Sequence, residues 1–269
     1  MKKKMAKLIA TQRKKQKAAE APIAPFTGFP KEGIRFLKKL DRNNEREWFL
    51  EHKEEYERYL LEPSKSFVEA LRPYLRKVSP HLVIQPKMGG SISRIYRDTR
   101  FTNDKSPYKT YVSFLFWDKR GDRVSSPAFY MGLDWTGISM GCGVWQFTKL
   151  QRDLFRDRIT TPGTAEEFRK MVKTMQRSAK DFELRGKELK RIPRGFDPEH
   201  FNADFLMHNG LMASKEEDPS ADIHTAKFAA RIGKQLLSTK PVFDWIYQLN
   251  QSAALRGPAF LDQLRDEMD

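Results

Sequence analysis

The sequence predicts an α+β fold with amino-terminal helices, a central mostly antiparallel sheet and carboxy-terminal helices. In the first and last thirds of the chain, apolar residues recur at the spacing of amphipathic helices. The middle third instead contains short runs rich in aromatic and β-branched residues, separated by turn sequences such as 118–122 and 134–137. Connections this short join antiparallel neighbours, because a parallel crossover needs a dozen or more residues.

Helices are predicted on both sides of the sheet. Before it, they begin near Lys31, near Glu45 with Asn44 as the cap, and at Pro63. After it, five segments carry helical periodicity: Leu150–Ile159, Ala165–Ser178, Pro198–His208, Thr225–Leu237 and Val242–Asn250.

The strands are predicted in four consecutive segments of the middle third: Ser91–Arg97, Tyr111–Trp117, Ala128–Asp134 and Gly137–Val144. Residues 185–194, by contrast, contain five cations and one acid together with Gly186 and Pro193. This composition predicts a loop between helices.

Length and composition favour one folded unit. The chain has 269 residues, of which 39% are hydrophobic and 12% aromatic, enough to bury a substantial core. We expect a disordered basic tail over residues 1–25, a single domain over 26–250 and a carboxy-terminal extension over 251–269. The formal net charge is +15, and the first 20 residues contribute +7 of it. Such a tail is either a solvated segment or a non-specific contact for nucleic acid or an anionic surface.

Several classes of protein are disfavoured by the sequence. No apolar run approaches the roughly 20 residues that cross a bilayer, and the charged amino terminus lacks the hydrophobic segment of a secretory signal. Cys142 is the only cysteine, which excludes an internal disulfide and a cysteine-based zinc cluster. The G-x-S-x-G, P-loop and G-x-G-x-x-G signatures are absent. We therefore expect a cytoplasmic protein without a membrane partner.

Residues 94–109 are the most informative stretch for function. They contain five cationic side chains, only two carboxylates, and two tyrosines just before a predicted strand. A surplus of three positive charges predicts an anion or ligand site supported by the sheet, because a purely structural network should be closer to neutral. The predicted site consists of Arg94, Arg97, Asp98, Arg100, Asp104, Lys105 and Tyr108.

These residues have distinct expected roles. Asp98 and Asp104 are expected to orient the cations, and Tyr108 to donate a hydrogen bond to the ligand. If the protein is an enzyme, Asp98 is the candidate base and the arginines stabilise developing negative charge. The sequence leaves open whether any reaction is catalysed. In the structural alternative, the two aspartates pair with the cations and fasten a loop to the sheet.

Two further groups of polar residues were considered as sites. A second basic patch contains Arg185, Lys187, Lys190 and Arg191, and it either folds over the first to form one cationic pocket or remains a solvated loop. His200, Asp204 and His208 are spaced four apart on a predicted helix, a pattern compatible with metal ligands. The sequence indicates no fourth ligand, so an i,i+4 pairing of aspartate with histidine on the helix surface is the default, and neither metal nor cofactor is predicted.

The stretch also resembles a known family. Residues 94–108 fit the pattern R-x-x-R-D-x-R-F-x-x-D-K-x-x-Y, the signature of the largely bacterial domain-of-unknown-function family 2461. Residues 43–49, 141–145 and 186–195 resemble other segments of that family, and the resemblance covers about residues 26–250. Because the family has no established activity, the resemblance implies a shared fold and a site but no reaction.

Three functions remain open at this point. The first is a protein that binds an anionic small molecule, with a phosphate or carboxylate group, in a pocket rich in arginine and lysine. The alternative is a nucleic-acid-binding module that uses the basic tail and patches, with Tyr96, Tyr108 or Trp145 stacking on bases. The third is a scaffold without a ligand. The sequence does not indicate an oligomeric state.

Overall fold

A five-stranded antiparallel sheet forms the centre of the computed structural model, which describes residues 22–100 and 102–252. The strands lie in the order β1-β2-β3-β5-β4, and every neighbouring pair is antiparallel. The predicted α+β fold is confirmed. Residues 1–21 and 253–269, which make up most of the expected tail and extension, lie outside the described residues. The strands are β1 (Val112–Trp117), β2 (Ala128–Leu133), β3 (Ile138–Val144), β4 (Glu183–Lys187) and β5 (His208–Glu217).

Helices precede β1, lie between β3 and β5, and follow β5 in the chain. Thr148 caps the first helix after β3: its hydroxyl accepts a hydrogen bond from the Gln151 backbone N–H, while the Gln151 side chain accepts one from the Thr148 N–H. None of the described helices is long and apolar enough to cross a membrane. The helices are α1 (Lys31–Arg42), α2 (Arg46–Glu51), α3 (Lys53–Tyr56), a π-helix (Glu57–Leu61), α4 (Glu62–Leu75), α5 (Lys149–Thr160), α6 (Thr164–Ser178), two 3-10 helices (Ala203–Met207 and Ala221–His224), α7 (Lys227–Ser238) and α8 (240–252).

One face of the sheet carries the hydrophobic core. Strand alternation points Phe114 of β1 towards the helices, where its ring lies 5.0 Å from that of Phe67 on α4. Phe67 in turn stacks on Phe228 of α7 at 5.5 Å, so strand and helices share one aromatic cluster. On β2, Phe129 stacks on Phe243 of α8 at 5.4 Å. All of these side chains except Phe243 are fully buried, and Phe243 is 2% exposed.

The opposite face of the sheet, here called the open face, is not covered by a described helix in its central part. Leu115, Tyr130, Gly141 and Ser214 lie opposite one another on adjacent strands of this face. Above it lies a cavity of about 390 Å³, lined by residues of β2 to β5 and by Trp145 and Glu188. The described helices therefore shield one side of the sheet, and the cavity lies on the other.

The predicted strand Ser91–Arg97 is wrong. Its first residues do pair with β1, because the Ser93 N–H donates to the Ser113 carbonyl at 2.9 Å. The chain then bends near Ile95, and the Arg97 N–H donates to the Pro107 carbonyl at 2.9 Å. Since the segment changes partner after two or three residues, it forms isolated bridges instead of a continuous ladder.

The predicted helix Pro198–His208 and the predicted loop 185–194 are also wrong in part. The helix is reduced to the 3-10 helix Ala203–Met207, and His208 begins β5, which pairs with both β3 and β4. The Asn209-Gly210 pair, whose residue types are typical of a helix end, lies within the strand. A Cβ at Gly210 would lie 2.0 Å from the Trp145 carbonyl oxygen, so glycine is required by close backbone approach.

Candidate functional site

Asn44 fastens the stretch 94–109 to the amino-terminal helices. Its side-chain amide donates to the Tyr108 carbonyl at 2.9 Å and accepts from the Tyr108 N–H at 3.0 Å. The Tyr108 ring stacks on Phe49 of α2 with centroids 4.1 Å apart. Asn44 was predicted to cap α2, but Glu45 occupies the cap position and makes no side-chain cap bond. The asparagine instead fixes the backbone position next to Lys109.

The two aspartates of the stretch pair with two of its arginines. Asp98 accepts two hydrogen bonds from the Arg100 guanidinium, at 2.9 and 2.7 Å, and Asp104 pairs with Arg97. Lys105 donates to the Thr99 carbonyl at 2.9 Å. Four of the seven predicted site residues therefore form two ion pairs with one another, which is the arrangement that the structural alternative predicts.

These contacts keep both aspartates ionised. The Arg100 guanidinium and backbone N–H lower the pKa of Asp98 to about 2. Bonds from the Ser106 hydroxyl, and then from Arg97, hold the pKa of Asp104 well below its usual range. A carboxylate with so low a pKa is a weak base at neutral pH, so the geometry suits Asp98 to positioning more than to proton transfer.

Positive charge without an acidic partner lies beside this paired network. Arg94, Lys109 and Arg123, here called the cation cluster, have no carboxylate among the described residues within the 4.0 Å of an ion pair. Lys109 is half-buried and its ammonium lies 5.8 Å from the centre of the Tyr111 ring. The Arg123 guanidinium lies 4.8 Å over the Trp117 ring.

The three cations are close enough to influence one another electrostatically. Burial, and then repulsion by Arg123 and by Arg94, lowers the pKa of Lys109. The Lys109 backbone cannot move away easily, because its N–H donates to the Ile95 carbonyl at 2.7 Å. A cavity of about 410 Å³ adjoins the cluster, lined by Lys109 and Tyr111 together with Asp41 and the paired groups of the stretch.

Only part of this cluster is predictable from the sequence. Arg94 was a predicted site residue, whereas Lys109 lay in the stretch but was not assigned to the site. Arg123 belongs to the turn between β1 and β2 and was missed, because only the fold brings it to Lys109. The surplus of three charges in the stretch was the available signal. With Arg97 and Arg100 paired to the two aspartates, this surplus consists of Arg94, Lys105 and Lys109.

The second basic patch occupies a separate place. Arg185 on β4 pairs with Glu216 at 3.1 Å and with Glu183 at 3.4 Å, and Lys187 pairs with Asp204 at 2.6 Å. Lys190 and Arg191 are exposed in the following loop. The two patches line different cavities of the described structure and do not merge into one pocket.

The residues predicted as possible metal ligands do not share one helix: His200 precedes the 3-10 helix Ala203–Met207, Asp204 lies in it and His208 begins β5. Asp204 is used by Lys187, and His208 is buried at the start of β5, where desolvation lowers its pKa. Within residues 22–100 and 102–252, no group of three or more His, Cys, Asp or Glu side chains is arranged to hold a metal ion.

Residues 32–245 match the family described as conserved hypothetical protein DUF2461. The chain belongs to this family. No curated protein matches the chain. The matched residues of this DUF2461 protein extend from α1 into α8, and they include the cation cluster and the open face.

Proposed function

We propose that this DUF2461 protein binds an anionic ligand, with a phosphate or carboxylate group, at Arg94, Lys109 and Arg123. The observation that supports the proposal is that Arg94, Lys109 and Arg123 have no acidic partner among the described residues, and that the two arginines repel the Lys109 ammonium. A half-buried lysine beside two arginines raises the free energy of the ligand-free protein, because the charges repel one another and Lys109 is partly desolvated. A bound anion offsets both effects.

The chemistry of the three side chains suits this ligand class. Arginine offers a planar fork of donors that matches a phosphate or carboxylate, and hydrogen bonds between charged groups are roughly twice as strong as neutral ones. The aromatic rings of Tyr111 and Trp117 lie beside Lys109 and Arg123. They limit the freedom of the cations and add cation–π attraction.

The signature residues then have a supporting role. Asp98 and Asp104 hold Arg100 and Arg97, and Asn44 holds Tyr108, so that the loop presents Lys109 in one position. A ligand that used Arg97 or Arg100 directly would have to break these ion pairs. We therefore assign the anion to the cation cluster and propose binding without a catalytic role for Asp98.

The proposal is tested by the thermal stability of the full-length protein with inorganic phosphate, acetate, citrate and a set of sugar phosphates. A ligand that binds only the folded state raises the melting temperature. We expect at least one phosphate or carboxylate to do so, and expect Lys109→Met to abolish the shift. Lys173→Met is the matched control, because Lys173 is exposed on α6 and has no ion-pair partner among the described residues.

The size of the loss can be anticipated. A hydrogen bond to a charged group is worth about 1.5–3 kcal/mol, so Lys109→Met should weaken anion binding by roughly 10- to 150-fold. Equal responses of wild-type protein, Lys109→Met and Lys173→Met to every anion would contradict the assignment.

A further inference from the structure

We propose that the cavity on the open face is a second binding site, and that its ligand is a neutral oligosaccharide lying along β3 between Tyr130 and Trp145. This site is separate from the cation cluster, because the cavity beside Lys109 and the cavity on the open face share no lining residue. It therefore goes beyond the anion site and does not depend on it. The shape of the cavity, the charges of its walls and its two aromatic rings identify this class of ligand.

The cavity on the open face is long and narrow. Ser139 and Trp145 both line it, and Trp145 follows Ser139 by six residues, just beyond the end of β3. At about 3.3 Å per residue the cavity is about 20 Å long, so its volume of about 390 Å³ gives a mean cross-section of about 20 Å². This area is close to the square of the spacing of neighbouring strands, which is about 4.8 Å. The cavity therefore has the width of one extended chain, and a single ring would fill only part of it.

The floor of the cavity is formed largely by backbone. On β3, Gly141 and Gly143 occupy the positions that face the cavity. A Cβ at Gly143 would lie 2.1 Å from the Leu211 carbonyl oxygen, so the bare floor has a structural cause and does not by itself indicate a ligand. On β2, the Tyr130 side chain extends along the strand, because a Cβ at Gly132 would lie 2.5 Å from the Tyr130 hydroxyl oxygen. The result is a trough along β3 with Tyr130 on one side.

The charges in the walls of this trough are already paired. Three cations line the cavity, and each pairs with a carboxylate: Arg185 with Glu216 at 3.1 Å, Lys187 with Asp204 at 2.6 Å, and Lys215 with Glu217 at 2.9 Å. An anionic ligand would therefore find no unpaired cation among these lining residues. A paired guanidinium and carboxylate still have N–H groups and lone pairs to offer, because arginine has five donors and a carboxylate about four acceptor positions. Hydroxyl groups, which both donate and accept, suit such walls, so we expect an uncharged ligand rich in hydroxyls.

Two aromatic rings provide apolar platforms in the cavity. The Trp145 side chain is 76% exposed, although tryptophan is highly buried on average. Its backbone is held in place, since the nearby Phe147 N–H donates to the Asn209 carbonyl at 2.7 Å. Tyr130 lies opposite Gly141, four residues before Trp145, so the two rings are attached about 13 Å apart along β3. The apolar C–H face of a sugar packs on an aromatic ring and leaves the hydroxyls at its edge free for polar walls. Two separate sugars of one chain can use these platforms.

Two other extended chains fit the cavity less well. A peptide would leave most of its N–H and carbonyl groups unpaired, because the backbone groups of β2, β3 and β5 already bond to one another. A hydrocarbon chain would desolvate the hydroxyls of Tyr130, Ser139 and Ser214 without replacing their hydrogen bonds. The Ser214 hydroxyl is buried without a hydrogen-bond partner among the described residues, and rotation about its χ1 angle would let a sugar hydroxyl satisfy it.

The test measures binding of three series of oligosaccharides to the full-length protein by isothermal titration calorimetry: malto-, cello- and chito-oligosaccharides of two to six sugars. We expect affinity in at least one series to increase with length until the chain reaches both rings. Trp145→Ala should weaken binding of the longest chain by about 2- to 13-fold, the range for an aromatic contact, while Trp145→Phe should retain most of the affinity. Lys109→Met should bind the same chain as the wild type does. Added salt should change the affinity little, because the ligand is uncharged.

Phe201→Ala provides the control for loss of an exposed aromatic ring, since Phe201 is 51% exposed and lies outside the cavity. Melting temperatures of all variants establish that they are folded. If no oligosaccharide binds, or if Trp145→Ala binds the longest chain as tightly as Phe201→Ala does, the second site is refuted, whatever the result for anions at Lys109. If dodecanoate binds in its place and Trp145→Ala weakens that binding, the cavity takes a hydrocarbon chain and the proposal is wrong. Oligosaccharide binding that is lost in Lys109→Met and kept in Trp145→Ala would place the sugar at the cation cluster and also refute it.

Discussion

Replacing Asn44 with alanine tests how the stretch 94–109 is held in place. The substitution removes two hydrogen bonds, of 2.9 and 3.0 Å, between the Asn44 amide and the backbone of Tyr108. Tyr108 is only 2% exposed, so its N–H and carbonyl groups regain little hydration from solvent. Each lost bond costs about 1 kcal/mol, and an unsatisfied buried group costs about 1–3 kcal/mol.

We therefore expect Asn44→Ala to lower the free energy of unfolding by about 2–4 kcal/mol. For a domain of this size, such a loss lowers the melting temperature by about 4–16 °C. The neighbouring Asn43→Ala is the matched control, because the exposed Asn43 side chain donates only to the Lys39 carbonyl within its own helix end. Its expected effect is below about 1 kcal/mol.

Chemical denaturation of the two variants and the wild-type protein, followed by tryptophan fluorescence, gives the comparison. Because Asn44 also positions Lys109, anion binding by Asn44→Ala should weaken under conditions in which the variant is still folded. Equal stability of the two variants would refute the assigned role of Asn44. Unchanged anion binding by folded Asn44→Ala would show that the loop does not need this anchor.

Three further predictions concern the core and two titrating groups. Phe67→Ala should lower the free energy of unfolding by about 3–5 kcal/mol in chemical denaturation, because Phe67 is fully buried among aromatic rings. Leu50 is exposed, so the control Leu50→Ala should change the free energy of unfolding by less than about 0.5 kcal/mol. Burial alone would raise the pKa of Asp118, but hydrogen bonds from Arg120 outweigh burial and lower the pKa. The ionised Asp118 therefore stabilises the protein at pH values above its pKa in the unfolded chain. This stabilisation is lost as the pH falls through the pKa of Asp118 in the folded protein. Asp118→Asn should lower the melting temperature at pH 7, and the melting temperature of the variant should fall less steeply than that of the wild type below about pH 4. An equally steep fall in both proteins would contradict this prediction. The pKa of Lys109 is lowered, so its ammonium loses its proton at a lower pH than an ordinary lysine does. Anion affinity should therefore decline in alkaline solution before the usual lysine pKa is reached. A pH titration in which binding persists to the usual lysine pKa would argue against Lys109 as a ligand.

The fold class and most helices could be predicted from the sequence because they depend on local periodicity. Phe114 and Phe116 alternate with Leu115 along β1, and this pattern indicates a strand with two different faces. Strands β4 and β5 were missed because charged residues dominate β4 and the carboxyl end of β5, where ion pairs such as Arg185–Glu216 replace apolar contacts across the strands. Gly210 gave a misleading helix-end signal, since its requirement for glycine comes from the close approach of the Trp145 backbone just beyond β3.

The site was predictable only as a region. The count of charges located a surplus in residues 94–109, but spacing alone does not reveal that Arg97 and Arg100 pair with Asp104 and Asp98. That result depends on how the loop bends back on itself. Arg123 lies 14 positions beyond Lys109, in the connection between β1 and β2, and no spacing in the sequence relates the two residues.

The most direct test of the account compares Lys109→Met with Arg100→Gln in calorimetric titration of the best-binding anion into the full-length protein. The account predicts that Lys109→Met loses binding by roughly tenfold or more, because its charge is unpaired. Arg100→Gln should change affinity by less than about threefold, because its exposed guanidinium already pairs with Asp98 and such pairs contribute little. Loss of binding in Arg100→Gln with normal binding in Lys109→Met would contradict the account and return the site to the arginines of the signature.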